Sequence, residues 1–142
     1  MSMELIIILA LQRAPTLDAW QRALDARHIP IQFTYKADLA KHTGFLPVEV
    51  NGRRSGFYFS QDQYSDVAST YPAIASAHMA KPAIYSFEYG GNFDECTSVF
   101  YAAGVLVSDF GGVAFDPQGG AFMSSQELAE TAKECEAMVN KK

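Results

Sequence analysis

The stretch from Ala83 to Pro117 constrains the fold more than any other part of the chain, because it reads without interruption as strand, glycine turn, helix, glycine turn and strand. Tyr85, Phe87 and Tyr89 alternate with Ile84, Ser86 and Glu88, the two-residue period of a strand with one buried face. Gly90-Gly91 breaks that period. Asn92 then stands where a helix cap is wanted, and Glu95 follows at capping-box spacing. Asp94 and Glu95 also suit the positive end of the helix dipole. Cys96, Val99, Phe100, Ala103, Leu106, Val107 and Phe110 recur at intervals of three and four, which predicts a single apolar stripe. Gly111-Gly112 ends the helix, and Val113-Ala114-Phe115 is a short strand stopped by Asp116-Pro117. All of this concerns fold. Residue chemistry alone does not say what the chain does.

Around this unit the remaining segments fall into place. Leu5 to Leu11 is a continuous apolar run, much of it β-branched, and suits an interior strand. Thr16 caps a helix whose apolar stripe is Leu17, Trp20 and Leu24. Ile29 to Tyr35 alternates as a second strand, and Ala37 to His42 makes one helical turn. Asn51-Gly52 is the pair preferred by a two-residue type I′ turn, and such a turn fixes a register. Val50 faces Arg53, Glu49 faces Arg54, Leu46 faces Phe57 and Phe45 faces Tyr58. The opposite charges of Glu49 and Arg54 support this register by roughly 0.2–1 kcal/mol. Pro47 puts its strand at an edge or turns its missing donor away from the ladder. Ser60 to Lys81 shows no clear period, with a helix over Ala73 to Met79 as its one candidate element. Gln118-Gly119-Gly120 reads as a turn. Ser124 and Glu127 form a second capping box, Leu128, Thr131, Ala132, Cys135, Met138 and Val139 carry the last stripe, and Asn140-Lys141-Lys142 complements its dipole. The expectation is one α+β domain over residues 1–142, with about six strands in a mostly antiparallel or mixed sheet and three main helices packed on it.

The chain's 142 residues suffice for a core without staples. Its net charge of −5 disfavours nucleic acid and anionic membrane as partners and mildly favours a basic one. Two cysteines, Cys96 and Cys135, read as reduced core residues, since both lie on apolar stripes. The acidic start Met1-Ser2-Met3-Glu4 is unlike a signal peptide, and Leu5 to Leu11 is too short to span a bilayer, which predicts a cytoplasmic protein.

A search for chemistry returns no catalytic, cofactor or metal site. The glycine pairs sit at element boundaries, where turn geometry accounts for them. His28, His42 and His78 form no close ligand pair with one another or with cysteine. Cys96, near a helix start, could serve as an activated thiol, although its stripe position favours a structural role.

Pro15-Thr16-Leu17-x-x-Trp20-Gln21-x-Ala23-Leu24, then Gly44-Phe45-Leu46-Pro47 and Ser55-Gly56-Phe57, are followed by Asn92-Phe93-Asp94-Glu95-Cys96 and by the Gly-Gly-Val-x-Phe-Asp-Pro segment Gly111 to Pro117. In these motifs the chain resembles small bacterial immunity proteins of polymorphic-toxin, type VI secretion-type systems. The resemblance spans nearly all of the chain except Ser60 to Lys81. It implies a cytoplasmic protein that neutralises a cognate toxin by direct binding. The alternatives are a small enzyme using Cys96 or a His and a small-ligand-binding regulatory domain. An inhibitor needs a surface that its own core does not use, and Glu49, Asp62, Tyr64, Asp66 and Tyr71 are the candidates, as large or charged residues without an evident structural duty.

Overall fold

The computed structural model describes residues 2–77, 79 and 81–139. The strands are β1 (Met3–Ala10), β2 (Ile31–Phe33), β3 (Thr43–Val50), β4 (Arg53–Asp62), β5 (Pro82–Tyr89), β6 (Val113–Asp116) and β7 (Ala121–Met123). They form one sheet in the order β2-β3-β4-β5-β1-β6-β7, antiparallel at every pairing. The strand beyond the expected number is β7, which lies just past the Gln118–Gly120 turn and is too short to declare itself by period. The continuous apolar run of β1 is explained by its place: Leu5, Ile7 and Leu9 point to one face and Ile6 and Ile8 to the other, and both faces are covered there. Because β1 is antiparallel to both β5 and β6, those two strands run in the same direction with β1 between them. The central unit is thus a strand–helix–strand crossover whose strands are separated by β1.

The hairpin has the register its turn dictates, with Val50 opposite Arg53 and Glu49 opposite Arg54. Asn51 and Gly52 both take positive φ, 51° and 80°, as a type I′ turn requires. Strand β3 is not an edge, because β2 pairs with it. The Pro47 carbonyl accepts from Thr34 N at 3.3 Å on the β2 side, beyond the last ladder pair, so the missing amide faces away from β4.

Helices α1 (Leu17–Ala26), α3 (Phe93–Phe110) and α4 (Ser125–Val139) cover one face of the sheet. Thr16 Oγ1 accepts from Ala19 N at 3.1 Å and Asn92 Oδ1 accepts from Asp94 N at 2.8 Å, as caps should. Ser124 and Glu127 close a reciprocal box, whereas Glu95 reaches back to Gly90 N at 2.9 Å. Gly111 ends α3 in the left-handed region at φ 72°. The single stripe expected for α3 is corrected. Thr97, Ser98, Ala102 and Val105 are buried as well, because α1 and α4 flank the helix while the sheet lies beneath it. The Thr97 and Ser98 hydroxyls donate to Phe93 O and Glu95 O, at 2.7 and 2.8 Å, so their burial leaves no donor unpaired.

Trp20 is the hub of this core. It is fully buried, its indole N–H donates to Ala102 O at 2.9 Å, and its ring lies within 4.9–6.3 Å of Phe33, Phe59, Tyr85 and Phe87. The two cysteines are not free thiols. Cys96 and Cys135 form a disulfide joining α3 to α4, with Cα atoms 5.9 Å apart. The expectation of two reduced core thiols is thus corrected: each lies on an apolar stripe, but the stripes of α3 and α4 face each other, a property of the two helices together.

The segment after β4 also departs from expectation. It forms α2 (Tyr64–Thr70) and a 3-10 turn over Pro72–Ser76, which together cover part of the opposite sheet face. Val67 and Ile74 are buried there against Ile6, Ile8, Ile84 and Phe115. The expected helix over Ala73 to Met79 is this shorter turn; Met79 is outside any helix, and His78, within the expected span, lies outside the described residues, as does the basic Asn140–Lys142 terminus.

Tyr85, Tyr89 and Tyr101 each have a phenol pushed up to about 12, by burial first of all. Asp116 adds to the shift at Tyr89, and Glu136, accepting from the Tyr101 hydroxyl at 2.9 Å, adds to it at Tyr101. Between pH 10 and 12 the unfolded chain releases these protons while the folded chain keeps them, so the folded state binds more protons and stability falls as pH rises. Urea midpoints should hold steady up to about pH 9 and drop above pH 10, in step with phenolate absorbance. A midpoint flat to pH 12 would contradict the burial of these three rings.

Candidate functional site

The two faces of the sheet are unequally covered. Helices blanket the first. On the second, α2 and its 3-10 turn sit over Ile6, Ile8 and Ile84 and leave the part toward β3 and β4 uncovered. Alternation along the strands decides what is displayed there. Leu46, Phe57, Phe59, Phe87 and Leu5 point to the helices, so Phe45, Tyr58, Glu88 and Glu4 point the other way. Register aligns these four as one row across four strands: Phe45 opposite Tyr58, Tyr58 opposite Glu88, Glu88 opposite Glu4.

The row is aromatic at one end and acidic at the other. Phe45 is 46% and Tyr58 54% exposed, and their rings meet edge-to-face with centroids 5.5 Å apart. Phe45 can lie down because Gly56, at φ +152°, has no side chain; a Cβ there would come within 2.6 Å of the Leu46 carbonyl oxygen. The next row holds Thr43, Ser60 and Ser86. Ser60 and Ser86 both donate to the Asp62 carboxylate, one to each oxygen, which fixes it half-buried at the foot of α2. Two adjoining depressions, of about 490 and 520 Å³, share Glu4, Asp62 and Ser86; the second runs along Asp66 and Tyr71 of the α2 wall.

The sequence-derived candidates divide accordingly. Asp62, Asp66 and Tyr71 line the second depression. Tyr64 and Tyr71 are half-buried against the smaller core, Tyr71 with its ring 5.8 Å from that of Phe115. The expectation that these tyrosines lack a structural duty is therefore corrected: with Val67 they are the apolar side of α2. Glu49 lies on the same sheet face but two rows beyond, past Pro47 and Gly56, between Gln32 and Arg54. Sequence reasoning missed Glu4, Tyr58, Phe45 and Glu88 as a group. The hairpin register had already set Phe45 beside Tyr58, but nothing local announces that β5 and β1 continue the row.

The chemistry for an enzyme reading is thin in particular ways. The Cys96 thiol is consumed by its bond to Cys135. His42 Nε2 is within 3.1 Å of Gly44 O, and His28 is exposed with φ 56° at the end of α1. Among the described residues no group of three or more His, Cys, Asp or Glu side chains could hold a metal ion, and no helix is long and apolar enough to cross a membrane. A third depression, of about 280 Å³, opens between α3 and α4 beside Arg27, Ile29 and Tyr101. Its guanidinium is committed to Asp109 through two hydrogen bonds, which hold the Asp109 carboxyl below its ordinary range.

These features define an α+β protein with a seven-stranded antiparallel sheet, helices on one face and a half-open second face. No protein-family model, curated protein or solved structure matches the chain.

Proposed function

We propose that this is an immunity-type binding protein, which neutralises a cognate bacterial toxin by direct contact across the open half of its sheet. The observation that carries the reading is the Phe45–Tyr58 pair, two large rings left exposed side by side on the part of the second face that no described element covers. Single exposed apolar residues are ordinary, but adjoining aromatics rimmed by charge are what a binding surface displays. Tyrosine and phenylalanine bury much area at small entropic cost. The motif resemblance supplies the biological role, and Asp62, Asp66 and Tyr71 take part from the α2 wall.

The test is made with the product of the neighbouring gene, because the resemblance implies a toxin encoded beside this chain. Wild-type protein should bind it and relieve its toxicity on co-expression. Phe45→Ala with Tyr58→Ala should weaken binding by at least tenfold, about 1.4 kcal/mol, in calorimetric titration, while the melting temperature moves little. No binding and no relief by the wild-type protein would end the proposal. Thiol trapping in intact cells locates the encounter. Disulfides are rare in a reducing cytoplasm, so a closed Cys96–Cys135 bond places the protein in an oxidising compartment. Two free thiols place it in the cytoplasm that the resemblance implies.

A further inference from the structure

We infer that the open sheet face receives a basic protein surface, whose arginines or lysines meet Glu4, Glu88 and Asp62 while an apolar group beside them packs on Tyr58 and Phe45; this names the partner chemistry of the binding-protein reading and rests on it. The argument begins with a pairing that the fold itself does not want. Glu4 and Glu88 are directly opposite on adjacent strands, and both are exposed. Like charges so placed destabilise a sheet. Among the described residues neither carboxylate has a side-chain hydrogen bond or an ion-pair partner. Folding therefore gives no reason for the pair, and binding does.

The surroundings strengthen the bias. Among the described residues, no lysine, arginine or histidine lines either of the two depressions. Asp66 adds a further carboxylate from α2, and Asp62 is held toward the opening by the Ser60 and Ser86 hydroxyls. The face does carry Arg54, but Glu49 stands opposite it across the hairpin. The net field is thus negative over the row, and it attracts cations and repels phosphate-bearing surfaces. A second copy of this acidic chain would bring like charge to like charge. Carboxylates at one end of the row and rings at the other suit a cation on an aliphatic stem, or a guanidinium that also stacks on an aromatic face.

Octa-arginine serves as the probe, followed by amide shifts of isotope-labelled protein and by calorimetry, with octa-glutamate, duplex DNA and anionic vesicles as comparison arms. Shifts should concentrate on β1, β4 and β5 around Glu4, Tyr58 and Glu88, and affinity should fall steeply as salt is raised. Combined Glu4→Gln, Glu88→Gln and Asp62→Asn should reduce affinity about tenfold. Removing an equal number of carboxylates elsewhere, Asp18→Asn with Glu130→Gln and Glu134→Gln, should change it less than twofold. Melting curves confirm that both variants fold, and relief of the Glu4–Glu88 repulsion should leave the first at least as stable as wild type. Equal losses in the two variants, shifts mapping to α1 or α4, or binding of DNA or vesicles at this face would overturn the inference. Its failure is distinct from that of the toxin reading: a neighbouring-gene product that does not bind leaves the peptide result standing, and a peptide that ignores this face leaves toxin binding to another surface.

Discussion

Trp20→Ala should destabilise the fold by about 3–5 kcal/mol, the cost of emptying a buried aromatic site. A domain of this size has only about 5–15 kcal/mol to lose, so the variant should melt far below wild type. The magnitude follows from what the indole touches. It fills the space between α1, α3 and the sheet, against Phe33, Phe59, Tyr85 and Phe87, and its N–H spans to Ala102 O. Trp20→Phe keeps most of the ring volume and deletes the donor, and should cost roughly 1–3 kcal/mol. Urea titration measures both. A loss below about 1 kcal/mol for Trp20→Ala would mean that the core closes over the site, contrary to the packing described.

Opening the Cys96–Cys135 bond should come next in effect. The bridge spans 39 positions, and closing a loop of that length removes about 4 kcal/mol of unfolded-state freedom on the chain-entropy account. The element at stake is α4, whose principal packing partner is α3. Without the bridge it is held by Leu128 and Ala132 in the core and by Glu136, which accepts from Tyr101 and from Asn51 at the hairpin tip. Cys96→Ser with Cys135→Ser should lower the melting temperature by on the order of 10 °C, and reductant should lower wild type to the same value. Melting that is indifferent to reductant would show that the bridge contributes nothing. Hydrogen exchange should locate the first loss of protection in α4.

Much of the fold was legible because several segments carry their own instructions. Asn51-Gly52 can hardly be read except as a tight turn, and a tight turn determines every pairing of β3 with β4. Thr16, Asn92 and Ser124 announce helix starts by side-chain chemistry that acts within one turn. What was not legible depends on elements distant in sequence. The stripe on α3 understated its burial, because α1 and α4 close around it from either side. The facing of Cys96 toward Cys135 is a property of two helices together. Helix α2 did leave a signal, since Tyr64, Val67 and Tyr71 fall at intervals of three and four, but seven residues give a period little chance to stand out. The same holds for the site. In the sequence Glu49, Asp62, Tyr64, Asp66 and Tyr71 show no structural duty, and only the smaller core under α2 gives one to Tyr64 and Tyr71. Glu4 and Glu88 stand far apart in the chain, and their repulsion exists only once β1 lies against β5.

The sheet ends on both sides in strands of three residues, β2 and β7. A border so brief offers few unpaired amides and carbonyls, so another chain gains little by adding itself as an eighth strand. Stacking of copies into fibres is discouraged at both margins, even though the middle of the sheet is rich in β-branched and aromatic residues that would favour it. Such a chain can accumulate to high concentration without recruiting itself. Extending β7 by a few alternating residues would remove that safeguard, and turbidity at high concentration would reveal it.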